Sequence, residues 1–413
     1  MSPPSSILVV GAGAAGAQAI LTLRRIGYDG RIDLAGAEGL APYERPPLSK
    51  EVLVSQREEE PAWLADTALL SELGVQTWLA HAVESIDLAD RHARLACGEQ
   101  ISFDCLLLTT GASARALQIP GGDLEGVCYL RTMQDARRIR GALSKGQPLV
   151  VIGGGFIGLE VAAAARTLTC AATVIEAGPQ LMGRAVPTNI SDLFVEEHRR
   201  HGVSIELGRR PVRLLGVQRL EAVELDDGRV LPAGVVVIGI GVIPEVSLGI
   251  QVGVETDDGI IVDIDGRTSL PGVFAAGDCC RVRAGTGRGV RLEAWQSALD
   301  QGARAAHAII GASPPPLSCP WVWSNQYEYQ LQVAGAPDQV HQLVTRGEAH
   351  RGELICFQLR AGRLVGAIAV NRQRDLAIVR RALAVMPEVD PKNLADEQWP
   401  LRSLLTSPKP QQP

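Results

Sequence analysis

The stretch Ile7-Leu8-Val9-Val10-Gly11-Ala12-Gly13-Ala14-Ala15-Gly16 runs from an apolar strand into a glycine turn. Residues 149–158, Leu149-Val150-Val151-Ile152-Gly153-Gly154-Gly155-Phe156-Ile157-Gly158, do so again. Each turn opens an Ala-rich helical stretch, Ala14 to Arg25 and Phe156 to Leu168. One such turn is weak evidence, but two in strand-turn-helix context predict an α/β chain that holds two dinucleotides and passes electrons between them. Gly11 and Gly153 make the tight turn, Gly13 and Gly155 let backbone approach a pyrophosphate, and Gly16 and Gly158 let helix pack on strand. The pyrophosphate then lies at a helix N-terminus, where free N–H groups and the macrodipole favour an anion. Ala14 and Ala15 in one unit, and Phe156 and Ile157 in the other, share that position.

The second unit continues into a strand, Ala172-Thr173-Val174-Ile175, ending at Glu176. A carboxylate about 20 residues past the glycines accepts hydrogen bonds from an adenosine ribose. It also repels a 2′-phosphate, and no Arg or Lys follows before Arg184, so the second site is expected to select NADH. In the first unit, the strand from Arg31 reaches its ribose-binding candidate, Glu38, after a Gly-Ala pair; Asp33 comes too early.

The 413 residues imply two or three domains, and 46% hydrophobic with 21% charged residues supports a packed core. A net charge of −6 argues against a nucleic-acid binder and leaves room for local basic patches. Met1 to Ser6 is Pro/Ser-rich and leads straight into the first strand, and the apolar stretch Leu149 to Leu168 is broken by Glu160, Arg166 and glycines. Neither a secretory segment nor a membrane span is expected, and the setting is expected to be cytoplasmic. Eight cysteines are scattered without a CxxC or CxxxxC pair, and the adjacent Cys279 and Cys280 read as buried thiols. No cysteine or histidine cluster has metal-ligand spacing.

Three further segments suit a flavoprotein. Leu106 to Ala112 is a buried strand ending in the small polar turn Thr110-Gly111. Gly239-Ile240-Gly241 follows the strand Val235 to Ile238, offering small residues along a nicotinamide nucleotide. Gly277-Asp278 ends the strand from Val273, with a carboxylate suited to ribityl hydroxyls. A helix from about Ala294 to Ile310 follows, and its start at Glu293, Ala294 and Trp295 can stabilise negative charge on a reduced flavin.

These segments, with Pro42-Tyr43-Glu44-Arg45-Pro46-Pro47-Leu48-Ser49-Lys50, Tyr129-Leu130-Arg131-Thr132 and Pro320-Trp321-Val322-Trp323-Ser324, resemble the NADH:ferredoxin reductases of bacterial oxygenase systems over nearly the whole chain. The resemblance implies a glutathione-reductase-like fold of two Rossmann-like dinucleotide-binding domains and a C-terminal α+β domain. An FAD domain is expected at residues 1–113 and 241–316, an NADH domain at 114–240, the C-terminal domain at 317–406 and a disordered tail at 407–413. It also implies that Lys50 and Glu160 meet beside the flavin, with Glu160 at the nicotinamide carboxamide, and that Arg45, Pro46, Val83, Arg131 and Trp295 touch the flavin nucleotide. Ala37 departs from the acid common in relatives at the ribose position, leaving Glu38 beside it.

The implied partner is a [2Fe-2S] ferredoxin serving a Rieske dioxygenase or cytochrome P450. Its docking candidates are Arg372, Arg374, Arg380 and Arg381, with Arg288 and Arg291. Trp321 and Trp323 are expected on opposite faces of one strand. A rubredoxin reductase, a relative of the apoptosis-inducing factor or monodehydroascorbate reductase groups, and a flavin-based redox sensor share the two-dinucleotide body. The missing cysteine pair disfavours a disulfide reductase.

Overall fold

The structure, a computed structural model, describes residues 3–55, 60–283, 289–335, 337 and 339–406. The expected tail at 407–413 and Arg288 lie outside the described residues. Ser6–Val10 is the middle strand of a five-stranded parallel sheet ordered Val273–Ala275, Cys105–Leu108, Ser6–Val10, Arg31–Gly36, Val75–Leu79. Leu149–Ile152 has the same place in a second parallel sheet: Val203–Leu207, Ala172–Glu176, Leu149–Ile152, Val235–Ile238, Val127–Tyr129. Chain order reverses at each middle strand, so each glycine turn sits at the switch point where open α/β sheets bind ligands. The strands are apolar on both faces because helices cover one face of each sheet and a three-stranded antiparallel sheet covers the other. That covering sheet is Val83–Asp87, His92–Leu95 and Gln100–Ser102 in the first unit and Pro211–Gly216, Leu220–Leu225 and Val230–Pro232 in the second. Leu149, Val150, Val151 and Ile152 are all buried.

Helix Ala14–Arg25 packs against Trp295–Ile309, where a Cβ at Gly302 would lie 2.3 Å from the Ala15 carbonyl oxygen. Only glycine permits that approach. Two short segments, Ala112–Ala114 and Val242–Pro244, pair antiparallel where the chain crosses between the sheets. The remaining unit is an antiparallel sheet, Trp321–Gln326, Tyr329–Ala334, Arg363–Val370, Glu353–Arg360 and Gln342–Glu348 in spatial order, covered by helix Gln373–Ala382.

Trp321 and Trp323 correct the expectation of opposite faces. Residues two apart in a strand share a face, and the two rings stack with centroids 5.0 Å apart. Trp323 meets Trp295 edge-to-face at 5.8 Å, and the Arg380 guanidinium lies 4.3 Å from the Trp321 centroid. Among the described residues, no helix is long and apolar enough to cross a membrane.

Candidate functional site

Both glycine turns have the geometry their sequence requires. Gly11 has φ +118° and Gly153 +110°, conformations that side chains disfavour. A Cβ at Gly11 would lie 2.1 Å from the Thr109 carbonyl oxygen, and one at Gly153 2.4 Å from that of Gly239. At Gly16 and Gly158 it would press on the turn's own carbonyl at 2.4 and 2.3 Å. Gly13 and Gly155 differ: a Cβ there would point into a cradle with no protein atom within 4 Å. Each is the N-cap of its helix, with no side-chain cap and no acid in the first turn. Two helix N-termini thus present backbone donors to open space, an arrangement that suits the pyrophosphate of a dinucleotide.

Glu176 stands at the end of its strand, accepting hydrogen bonds from Gly154 N at 2.7 Å and Gly178 N at 2.6 Å. The carboxylate is thereby fixed against the second glycine turn. The Arg184 guanidinium lies 3.9 Å from a Cβ built on Gly241, so it stands beside the turn Gly239 to Gly241. Ile157, the second residue of helix Phe156–Thr167, is 45% exposed. Glu38 lies beyond the first strand pair, accepting from Tyr43 Oη and, at 3.2 Å, from Arg45. Arg45 also donates to the Arg131 carbonyl, and Arg131 pairs with Asp278 at 2.9 Å. Residues far apart in sequence therefore converge on one rim.

Thr110 Oγ1 donates to the Glu245 carbonyl, and Gly111 has φ +72°. Gly277 donates to Gln301 Oε1 at 2.9 Å. Ala294 caps the last helix of this region without a side-chain bond, and the Trp295 indole Nε1 is buried with no hydrogen-bond partner, a donor suited to a bound group. Glu293 is turned outward into an ion pair with Arg291. Val83 packs on the edge of the core beneath the first sheet.

Lys50 and Glu160 meet, Nζ to Oε2 at 2.9 Å, with side chains only 14% and 4% exposed. Lys50 also donates to the Pro46 carbonyl at 3.1 Å. The short 3-10 turn Pro46–Ser49 aims Lys50 from one sheet at Glu160 on the first turns of helix Phe156–Thr167 in the other. Ser49 Oγ donates to the same carboxylate oxygen, and Ser324 Oγ donates to the other at 2.6 Å. Ser49 and Ser324 were absent from the sequence-based site, although both lie inside the Pro-Leu-Ser-Lys and Trp-x-Trp-Ser segments. Behind them stand Gln326 and His198, buried and also unanticipated. Burial lowers the His198 imidazole to about 4, so it is neutral.

All eight cysteines are free. The Sγ atoms of Cys279 and Cys280, both buried, lie 3.6 Å apart; the hydrogen bond from Cys280 lowers the Cys279 thiol, while burial pushes the Cys280 thiol well up.

Two glycine turns of dinucleotide-binding form in one chain, joined by a buried Lys-Glu pair between their units, define a class of oxidoreductase that binds two dinucleotides. Residues 5–302 match the pyridine nucleotide-disulphide oxidoreductase model and residues 321–405 the reductase C-terminal model; the chain belongs to the pyridine nucleotide-disulphide oxidoreductase family. It is 38% identical over 405 residues to the ferredoxin–NAD(+) reductase component of the p-cumate 2,3-dioxygenase system of Pseudomonas putida, covering 96% of this chain and 98% of that one. A ferredoxin–NAD(P)(+) reductase of Sphingomonas sp. is 36% identical, with 97% of each chain covered. Putidaredoxin reductase in its covalent complex with putidaredoxin superposes with a TM-score of 0.94 at 31% identity, over 98% of this chain and 99% of that one. The ferredoxin reductase of the CYP199A2 system of Rhodopseudomonas palustris gives 0.92 at 35% identity, over 97% and 100%. The cofactors of this chain are FAD and NAD(H).

Proposed function

We propose that the chain is an NADH:ferredoxin reductase that serves an oxygenase, a Rieske dioxygenase or a cytochrome P450. One observation carries this reading: two nucleotide cradles adjoin a buried Lys-Glu pair while every cysteine is free, leaving no disulfide relay. A flavin accepts a two-electron hydride and releases electrons singly, so the balance is NADH plus two oxidised ferredoxins to NAD+, a proton and two reduced ferredoxins. The residues orient the nicotinamide, hold its carboxamide at Glu160 and keep the reacting edge dry. The first glycine turn, with Glu38, Arg45, Arg131 and Asp278, holds FAD; the second, with Glu176, Arg184 and Gly239 to Gly241, holds NADH. The division at 113, 240 and 316 belongs to this reading, supported by the paired crossing strands, as does a cytoplasmic setting. NADH-driven cytochrome c reduction with and without a panel of purified [2Fe-2S] ferredoxins tests it. Strong dependence on one ferredoxin is expected; equal rates without any would refute it.

Nucleotide choice gives a second test. A 2′-phosphate beside Glu176 sets like charges together, so kcat/KM for NADH should exceed that for NADPH by roughly a hundredfold. Equal values would remove Glu176 from that role.

Docking rests on the C-terminal helix. Arg372 is tied to Glu397 at 2.7 Å and to Asp375 at 3.5 Å, and Arg380 lies over Trp321, so both have structural work. Arg374 and Arg381 are exposed and seven residues apart, hence on one helix face, with no salt bridge among the described residues. The double variant Arg374→Glu/Arg381→Glu should slow ferredoxin reduction roughly tenfold at low salt and less at high salt, with NADH to ferricyanide turnover unchanged. Wild-type ferredoxin kinetics in that variant would place docking elsewhere.

A further inference from the structure

A ladder of hydrogen bonds runs from Glu160 back to helix Thr188–Arg200, and its donors all point one way. Ser324 Oγ donates to Glu160 Oε1 at 2.6 Å, and Gln326 Nε2 donates to Ser324 Oγ at 2.9 Å. His198 Nε2 lies 2.9 Å from Gln326 Oε1, and Tyr327 Oη 3.4 Å from His198 Nδ1. An amide oxygen only accepts, so the His198 proton sits on Nε2 and Nδ1 accepts from Tyr327. Each group therefore donates toward the carboxylate, and aligned bonds of this kind polarise and strengthen one another.

From Glu160 to His198 the ladder is closed to solvent, with Ser324 and His198 0% exposed, Gln326 1% and Glu160 5%, and only its last member, Tyr327, is half-buried. It also joins separate parts of the fold, since Glu160 and His198 ride on helices beside the second sheet while Ser324 and Gln326 stand on the first C-terminal strand. Alternation explains how one strand does two things. Trp323 turns to Trp295, and Ser324 and Gln326 turn to Glu160. An amide in the middle makes a poor proton conduit, so the ladder is a brace. An ionised carboxylate offers about four acceptor positions. Lys50 and Ser49 take those on Oε2, and Ser324 takes one on Oε1. One position remains, on Oε1, matched to a single amide donor.

We propose that Ser324, Gln326 and His198 are positioning residues that lock the Glu160 carboxylate so that its one remaining acceptor site faces the nicotinamide carboxamide. The C-terminal unit thereby sets the pose of the reductant as well as offering a surface to the acceptor. This rests on the reading that NADH reduces a flavin here.

The test uses the full-length FAD-loaded protein and the variants Ser324→Ala, Ser324→Thr and Gln326→Leu. NAD+ affinity is measured by titration calorimetry, flavin reduction at saturating NADH by anaerobic rapid mixing, and stability by thermal melting. Ser324→Ala and Gln326→Leu should each weaken NAD+ binding and slow reduction by about tenfold, the worth of one hydrogen bond to a charged group. Ser324→Thr, which keeps the hydroxyl, should restore both. Wild-type affinity and rate in Ser324→Ala and Gln326→Leu would overturn the proposal. So would a Ser324→Thr protein as impaired as Ser324→Ala, or a fall in melting temperature with NAD+ binding intact. Failure of the underlying reading looks different: the flavin of the wild-type protein would not be reduced by NADH at all.

Discussion

Gly153→Ala protein is expected to purify with its FAD, yet that flavin should be reduced by NADH more than about a hundredfold more slowly, whereas Gly11→Ala protein should purify without flavin. At both positions φ lies near +110 to +118°, a region nearly confined to glycine. The added methyl makes matters worse, since it would stand 2.1 Å from the Thr109 oxygen or 2.4 Å from the Gly239 oxygen. These atoms are backbone at the ends of neighbouring strands, so relief requires Ser6–Val10 to part from Cys105–Leu108, or Leu149–Ile152 from Val235–Ile238. That displaces the glycine turn by an ångström or so, and misplacement on that scale costs about a hundredfold. The damage is expected to be largest in the altered unit because one face of each sheet packs in a cluster of its own, Ile7, Val9, Ile32 and Leu107 in the first and Val150, Ile152, Ile175 and Val236 in the second. The other face of the second sheet shares a core with Tyr43, Leu48, Val52 and Leu53. Absorbance of the purified proteins and anaerobic mixing with NADH read the two effects separately. A Gly153→Ala protein reduced at the wild-type rate would refute the assignment of the second turn.

Much of the fold was legible because the signals were local. Apolar strand, glycine turn and Ala-rich helix lie contiguous in sequence, and the helix expected from Ala14 to Arg25 is found with those bounds, the second only a residue shorter at Phe156–Thr167. The pair Lys50 with Glu160 was reachable only through the resemblance, since 110 residues separate the partners and no periodicity links them, and the ion pair of Arg131 with Asp278, 147 residues apart, was not anticipated at all. His198 and Gln326 carried no readable signal. A histidine on the buried face of an amphipathic helix and a glutamine in a strand look like ordinary polar residues until the sheet and the helix are packed together. The tryptophan error had a different origin, a misapplied strand period, and the stacked rings correct it.

Stability and turnover should separate at the Lys50-Glu160 pair. Lys50→Met leaves the Glu160 carboxylate, 4% exposed, with only the hydroxyls of Ser49 and Ser324 as donors. Removing one partner of a buried pair costs about 3 to 5 kcal/mol, because an uncompensated charge remains. The variant should therefore unfold at clearly lower denaturant, and flavin reduction by NADH should fall by about a hundredfold as Glu160 loses its place. Adding Glu160→Gln removes the stranded charge while nearly preserving shape. The double variant should regain about 2 kcal/mol over Lys50→Met alone, but its reduction rate should stay low, because a neutral amide at position 160 no longer presents a carboxylate to the nicotinamide. Denaturant unfolding and stopped-flow reduction of the two single variants and the double give the full cycle. If the double variant is no more stable than Lys50→Met, the buried charge is not what Lys50 holds in place. If stability and rate recover together, the pair acts on the fold alone, and the contact with NADH must be made by other residues.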